Sequence, residues 1–163
     1  MLKWLRKYFL FLPAIVFFIV LVIIDLFFQK GANNIMRITG LFFLGISAIF
    51  FIPPFIILKK FGKTSKDSLY METERLVKIG SYRIVRHPQY LGYMFLLIGF
   101  SLTNQNIYLV ILGITSIFSL YLQTLNEEKE LMAKFGREYK VYSDQVTRFN
   151  FIAGFLNYIR SRL

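Results

Sequence analysis

Residues 35–58 read IMRITGLFFLGISAIFFIPPFIIL and carry a single charge, at Arg37. At 1.5 Å per residue, a helix of about 24 residues exceeds the roughly 30 Å hydrocarbon core of a bilayer. This stretch decides the fold class, because so long an apolar block has no place in a small soluble domain. Gly40, Gly45 and Ser47 are small enough to let another helix approach closely. Pro53 and Pro54 remove two backbone donors, so a bend or an end of the helix is expected there.

Working outward, three more apolar blocks flank the first. Residues 8–28 supply about 21 mostly apolar positions, with Asp25 near the far end. That run is longer than a usual signal-peptide core and no small-residue cleavage site follows, so an uncleaved span is expected. Residues 90–102 give only about 13 apolar positions, which falls short of a span. Either the bilayer thins there, or the preceding polar stretch is drawn below the headgroups and shielded by neighbouring helices. Residues 103–106 make a tight turn, so residues 107–125 should return antiparallel as a last span. From Asn126 onward the chain is strongly charged. Leu131, Met132, Phe135, Tyr139 and Tyr142 recur there at helical spacing and form a candidate apolar stripe, with Glu130 and Lys134 placed as an i,i+4 pair. Residues 149–163 repeat the amphipathic pattern and are expected at the membrane interface. The predicted fold is therefore all-α. It is an integral membrane bundle of about four hydrophobic segments, one short, in a single domain over residues 1–163, with C-terminal helices over residues 126–163.

Composition agrees. The 163 residues are 56% hydrophobic, with a mean hydropathy of +0.53 and 19 Phe. The net charge of +11 lies beside apolar blocks, a pattern of membrane anchoring, and no nucleic-acid recognition motif accompanies it. Three basic residues precede the first span, eight lie between Lys59 and Arg86, and seven follow Leu125, whereas Lys30 and Arg37 alone fall on the other side. The positive-inside rule then puts both termini and the central loop in the cytoplasm, in the cell membrane if the source is bacterial. Without cysteine, disulfides and thiolate chemistry are excluded, and one histidine excludes a multi-histidine metal site within the chain.

The functional signal lies in residues 80–92, GSYRIVRHPQYLG, which hold that histidine, His87. The orientation rule puts His87 and the pair Glu127 and Glu128 on one aqueous side. Arg86, His87, Tyr82 and Tyr90 offer donors and aromatic faces, while the two glutamates offer carboxylates. Pro88 suits the first turn of a helix, whose N–H groups can meet an anionic or carbonyl group. Taken singly, each feature has a plainer reading: a histidine before proline can cap, glutamates at a helix start can answer the macrodipole, and the stripe from Leu131 to Tyr142 reads as packing. Together they describe a site for a polar cofactor with cationic and anionic ends.

LVKIGSYRIVRHPQYLG, followed about 35 residues later by EEKELMAKFGREYKVYSDQVTRF, closely resembles the isoprenylcysteine carboxyl methyltransferase and phospholipid methyltransferase group of membrane enzymes. The resemblance covers residues 74–149 and implies a small helical membrane bundle capped by cytoplasmic helices, without a Rossmann domain. It implies a cytoplasmic S-adenosylmethionine site lined by Glu74, Arg75, Leu76, Val77, Tyr82, His87, Pro88, Gln89 and Tyr90 and completed by Glu127. Arg86, Glu127 and Glu128 are the implied catalytic set, acting by in-line methyl transfer to a lipophilic acceptor, a carboxylate or isoprenoid type before a phospholipid amine. Two positions depart from the carboxyl methyltransferases. Gln123 stands where an acceptor-binding arginine is expected, and Glu74 stands where those enzymes show histidine. A non-catalytic scaffold or small transporter subunit would share the apolar blocks, but leaves the two motifs unexplained.

Overall fold

The computed structural model describes residues 9–27, 31–62 and 73–160. Among these the regular structure is helical throughout, and the sole ladder contact is an isolated parallel bridge between Val85 and Thr147. Six α-helices follow one another: α1 (Leu12–Phe27), α2 (Asn34–Phe61), α3 (Pro88–Asn104), α4 (Ile107–Phe135), α5 (Arg137–Gln145) and α6 (Phe151–Arg160). Short 3₁₀ turns at Phe9–Phe11 and Gly80–Arg83 precede α1 and α3. By length and composition α2 and α4 can each cross a membrane, and α1 is a shorter apolar helix. This is the all-helical membrane bundle that the apolar blocks imply.

Helix boundaries follow local chemistry. Pro13 and Pro88 stand in the first turns of α1 and α3, where a missing N–H costs nothing. Asn33 Oδ1 accepts the Met36 N–H, and Asn106 Oδ1 accepts the Tyr108 N–H, capping α2 and α4. α4 ends at Gly136, whose φ of +51° lies where L side chains rarely go, and whose N–H donates to Met132 O at 2.9 Å.

Several expectations are corrected. α2 does not end at Pro53 and Pro54 but runs past both to Phe61. In an apolar surround no water competes for the freed carbonyls, so continuing the helix is cheaper than unwinding it. α3 extends to Asn104, which narrows the turn to Gln105 and Asn106. The apolar stripe is broken at Gly136, and Met132 is exposed. Beside its place four residues after Glu130 on α4, Lys134 also donates from Nζ to Thr73 O at 2.7 Å. Tyr8, Phe28 and the basic residues Lys3, Arg6, Lys7, Lys30, Lys63, Lys66 and Arg162 lie outside the described residues.

The chain forms two compact units. The first comprises Met1–Ala48 with Gly92–Asn126, and its described part holds α1 and the apolar portions of α2, α3 and α4. Small residues set its packing. A Cβ on Gly40 would lie 2.8 Å from Gly99 O, and one on Gly99 would lie 3.0 Å from Gly40 O, so the two backbones touch directly. Ser47 Oγ donates to Gly92 O at 2.9 Å, whereas nothing lies within 4 Å of a Cβ on Gly45. Ser101 Oγ meets Leu109 O at 3.2 Å, which sets α4 alongside α3. The apolar side chains that remain exposed, such as Leu26 at 72% and Ile38 at 66%, suit a hydrocarbon surround.

The second unit comprises Ile49–Leu91 with Glu127–Leu163. It gathers the end of α2, residues 73–87, the first turn of α3, the charged end of α4, α5 and α6. Its layers join through the backbone. Arg86 N donates to Thr147 O at 2.9 Å, and Glu74 N donates to Gly62 O at 2.9 Å. Tyr142 OH reaches Tyr82 O at 2.7 Å. α6 closes against Ile84, because Gly154 has no side chain in the way: a Cβ there would lie 1.9 Å from Ile84 O.

Candidate active site

The second unit contains a cleft with about 600 Å³ of empty space, part of it open to solvent. Leu58, Thr73, Leu76, Val77, Tyr82, Arg86, His87, Pro88, Gln89, Tyr90, Glu127, Leu131, Tyr139 and Tyr142 line it. The polar segment supplies most of the wall in one pass. The 3₁₀ turn buries Tyr82, the bridge to Thr147 holds residues 85–87 extended, and Pro88 starts α3 so that Gln89 and Tyr90 stand in its first turn. His87 is 4% exposed, with the Tyr90 ring edge-on to it at a centroid distance of 5.7 Å.

Adjacent positions on a helix point about 100° apart, and this separates the two glutamates. Glu127 faces the cleft, and its Oε2 lies 4.0 Å from His87 Nδ1. Glu128 faces a cluster of cations. Its Oε1 accepts from Arg86 Nε at 3.1 Å and Arg148 Nε at 2.9 Å, and its Oε2 accepts from Arg148 Nη2 at 2.6 Å. His87 Nε2 lies 3.1 Å from the same Oε1. An ionised carboxylate can only accept, so the proton on this contact belongs to Nε2. Burial works to raise the Glu128 carboxyl. The hydrogen bonds from Arg148 and His87, with the charge of Arg86, outweigh burial and hold it well below the usual carboxylate range. Arg86 is further committed, since its Nη1 donates to the carbonyls of Ser143 and Val146.

Burial, with the nearby Glu128 charge, pushes the Tyr139 phenol up. Burial, with Tyr139 beside it, does the same to Tyr142. Both remain hydrogen-bond donors. Among the described residues, four buried side-chain atoms lack a partner: Ser81 Oγ, Gln89 Nε2, Asn104 Oδ1 and Tyr139 OH. Gln89 and Tyr139 both line the cleft.

Of the residues singled out in the sequence, Leu76, Val77, Tyr82, Arg86, His87, Pro88, Gln89, Tyr90 and Glu127 surround this one cleft. Glu128 stands in the cation cluster. Glu74 and Arg75 are exposed and absent from the lining, their contribution being backbone N–H donation to Gly62 O. Gln123 is buried in the first unit. The sequence reading passed over Leu58, Thr73 and Arg148, and it assigned Leu131, Tyr139 and Tyr142 to packing. Their helical spacing was the available signal, and it does not tell a cleft wall from a core.

A family model described as phospholipid methyltransferase matches residues 35–138, well over half the chain. The chain belongs to the phospholipid methyltransferase family. As a membrane methyltransferase of that family, it matches from the start of α2 to the start of α5, so Arg86, His87, Glu127 and Glu128 fall inside the match, while Tyr139, Tyr142 and Arg148 lie beyond it. Neither a curated protein nor a solved structure matches the chain.

Proposed function

We propose that the chain is an S-adenosylmethionine-dependent methyltransferase acting on a lipophilic acceptor, with its cleft on the cytoplasmic side. The observation that carries this reading is the convergence of the two motifs on His87: the RHPQY segment and Glu127 line one cleft, and Glu128 holds the His87 ring. The cleft's chemistry fits the cofactor. Gln89 Nε2 and Tyr139 OH are buried donors without partners, Glu127 is an acceptor for ribose hydroxyls or an ammonium group, and four tyrosines offer aromatic faces. Bound there, S-adenosylmethionine supplies an electrophilic methyl group on its sulfonium.

The chain's own residues position and shield. Glu127 accepts from the ribose hydroxyls or the ammonium group of the cofactor, and Glu128 fixes the His87 ring through Nε2. Tyr82, Tyr90, Tyr139 and Tyr142 exclude water, which strengthens the charge interactions between donor and acceptor. Catalysis then rests on alignment for in-line transfer. Arg86, already bound by Glu128 and two carbonyls, contributes chiefly by keeping the wall in place. The lipophilic acceptor enters between helices from the bilayer.

Two acceptor classes fit. The paired motifs support a carboxylate of the isoprenylcysteine type. The family description supports a phospholipid amine, and Gln123 in place of an arginine adds to that second reading. A carboxylate needs no general base, whereas an amine must first lose a proton.

Calorimetry with S-adenosylmethionine on detergent-purified protein, wild type beside Glu127→Ala, tests the site. Saturable binding that disappears in the variant is expected, with the variant still folded. Undiminished binding in Glu127→Ala and His87→Ala would refute the assignment of the pocket. Label transfer from the cofactor into extracted lipids, separated by headgroup, decides the acceptor.

A further inference from the structure

Two of the four partnerless buried polar atoms among the described residues belong to side chains that line one cleft, and both are donors. An amide Nε2 can only donate. The Tyr139 phenol, only 2% exposed, is kept protonated by its burial. Folded proteins rarely leave such groups unpaired, so two at one cleft call for an explanation. Tyr139 lies on α5, one residue beyond the region matched by the family, and is not among the residues that the resemblance assigns to the cofactor.

We infer that the Tyr139 hydroxyl, together with the Gln89 amide, donates to neutral acceptor atoms of the cofactor's nucleoside. This rests on the proposed function. The acceptor is neutral because the neighbouring charges leave no room for another anion. Arg86 and Arg148 are both bound to Glu128, and Glu127 adds a carboxylate to the cleft itself. A ring nitrogen or ribose oxygen fits those donors, whereas the carboxylate of the cofactor's amino-acid end would meet Glu127.

Tyr139→Phe removes one oxygen and keeps the ring. The test is calorimetry on the full chain with two probes, S-adenosylhomocysteine and 5′-methylthioadenosine, which share the nucleoside but not the amino-acid end. Thermal unfolding of the ligand-free protein accompanies it. The expected result is a loss of about 5- to 30-fold in affinity for both probes, the size of one buried hydrogen bond. Ligand-free unfolding is unchanged or shifted upward, because the hydroxyl had no partner. Gln89→Met gives a comparable loss for both probes. Equal binding by wild type and Tyr139→Phe would overturn this inference alone. So would a loss confined to S-adenosylhomocysteine, or a ligand-free variant that melts early. Failure of the wild type to bind either probe would instead overturn the cofactor reading, and this inference with it.

Discussion

Arg148 grips Glu128 with two nitrogens, Nε at 2.9 Å from Oε1 and Nη2 at 2.6 Å from Oε2. A two-point fork of this kind fixes the carboxylate plane as well as its position. Arg86 and His87 then meet an oxygen that is already aimed. The cluster couples the segment after α5 to the histidine of the cleft.

Glu128→Gln leaves two arginines without their charge partner, in a site where the carboxylate side chain is 16% exposed. A stability loss of about 2–4 kcal/mol is expected, read as a drop in Tm in detergent. The pH dependence has a definite sign. The carboxyl is depressed in the folded protein, so its contribution is complete above the unfolded value of about 4.3 and is lost as pH falls below it. Wild-type Tm should therefore fall from about pH 5 downward, and Glu128→Gln should flatten that slope. Parallel slopes in the two proteins would contradict the role given to Glu128.

Tyr142→Phe deletes the hydrogen bond to Tyr82 O and leaves that carbonyl without this donor. About 1–2 kcal/mol of stability should be lost. Because burial raises this phenol in the folded protein, its share of stability is intact below pH about 10 and is lost above it. An alkaline unfolding series should show a shallower decline in the variant than in the wild type.

Gly154→Ala places a methyl group against a backbone carbonyl that cannot step aside, since the Cβ position is 1.9 Å from Ile84 O. α6 must shift away from Ile84. The cost is expected at about 1–3 kcal/mol, the range for overpacking. Ile84 precedes the bridge that holds Arg86 and His87, so weaker cofactor binding should accompany the lower Tm. Gly45→Ala serves as control, because its Cβ meets nothing within 4 Å.

The helices were legible because membrane physics writes them as long apolar blocks. Pro88 marked the start of α3 for a local reason, its missing N–H. The continuation of α2 through Pro53 and Pro54 was hidden, since the rule that proline stops a helix assumes a solvent ready to take the freed carbonyls. Tyr139 and Tyr142 could be placed on a stripe but not on a wall, because helical spacing records which residues share a face and not what that face meets. Arg148 stood within the second motif but carried no assigned role. Its partner is 20 residues away, and a lone arginine near an amphipathic helix has the same composition whether it serves a site or the solvent.

The bridge between Val85 and Thr147 has a bearing on synthesis. Arg86 draws three of its contacts from Glu128, Ser143 and Val146, the last of these 60 residues further along the chain. A ribosome that has delivered α3 and α4 to the membrane has therefore made the motif residues without the segment that holds them in place. The wall of the cleft that carries Arg86 and His87 is completed only by residues as late in the chain as Arg148.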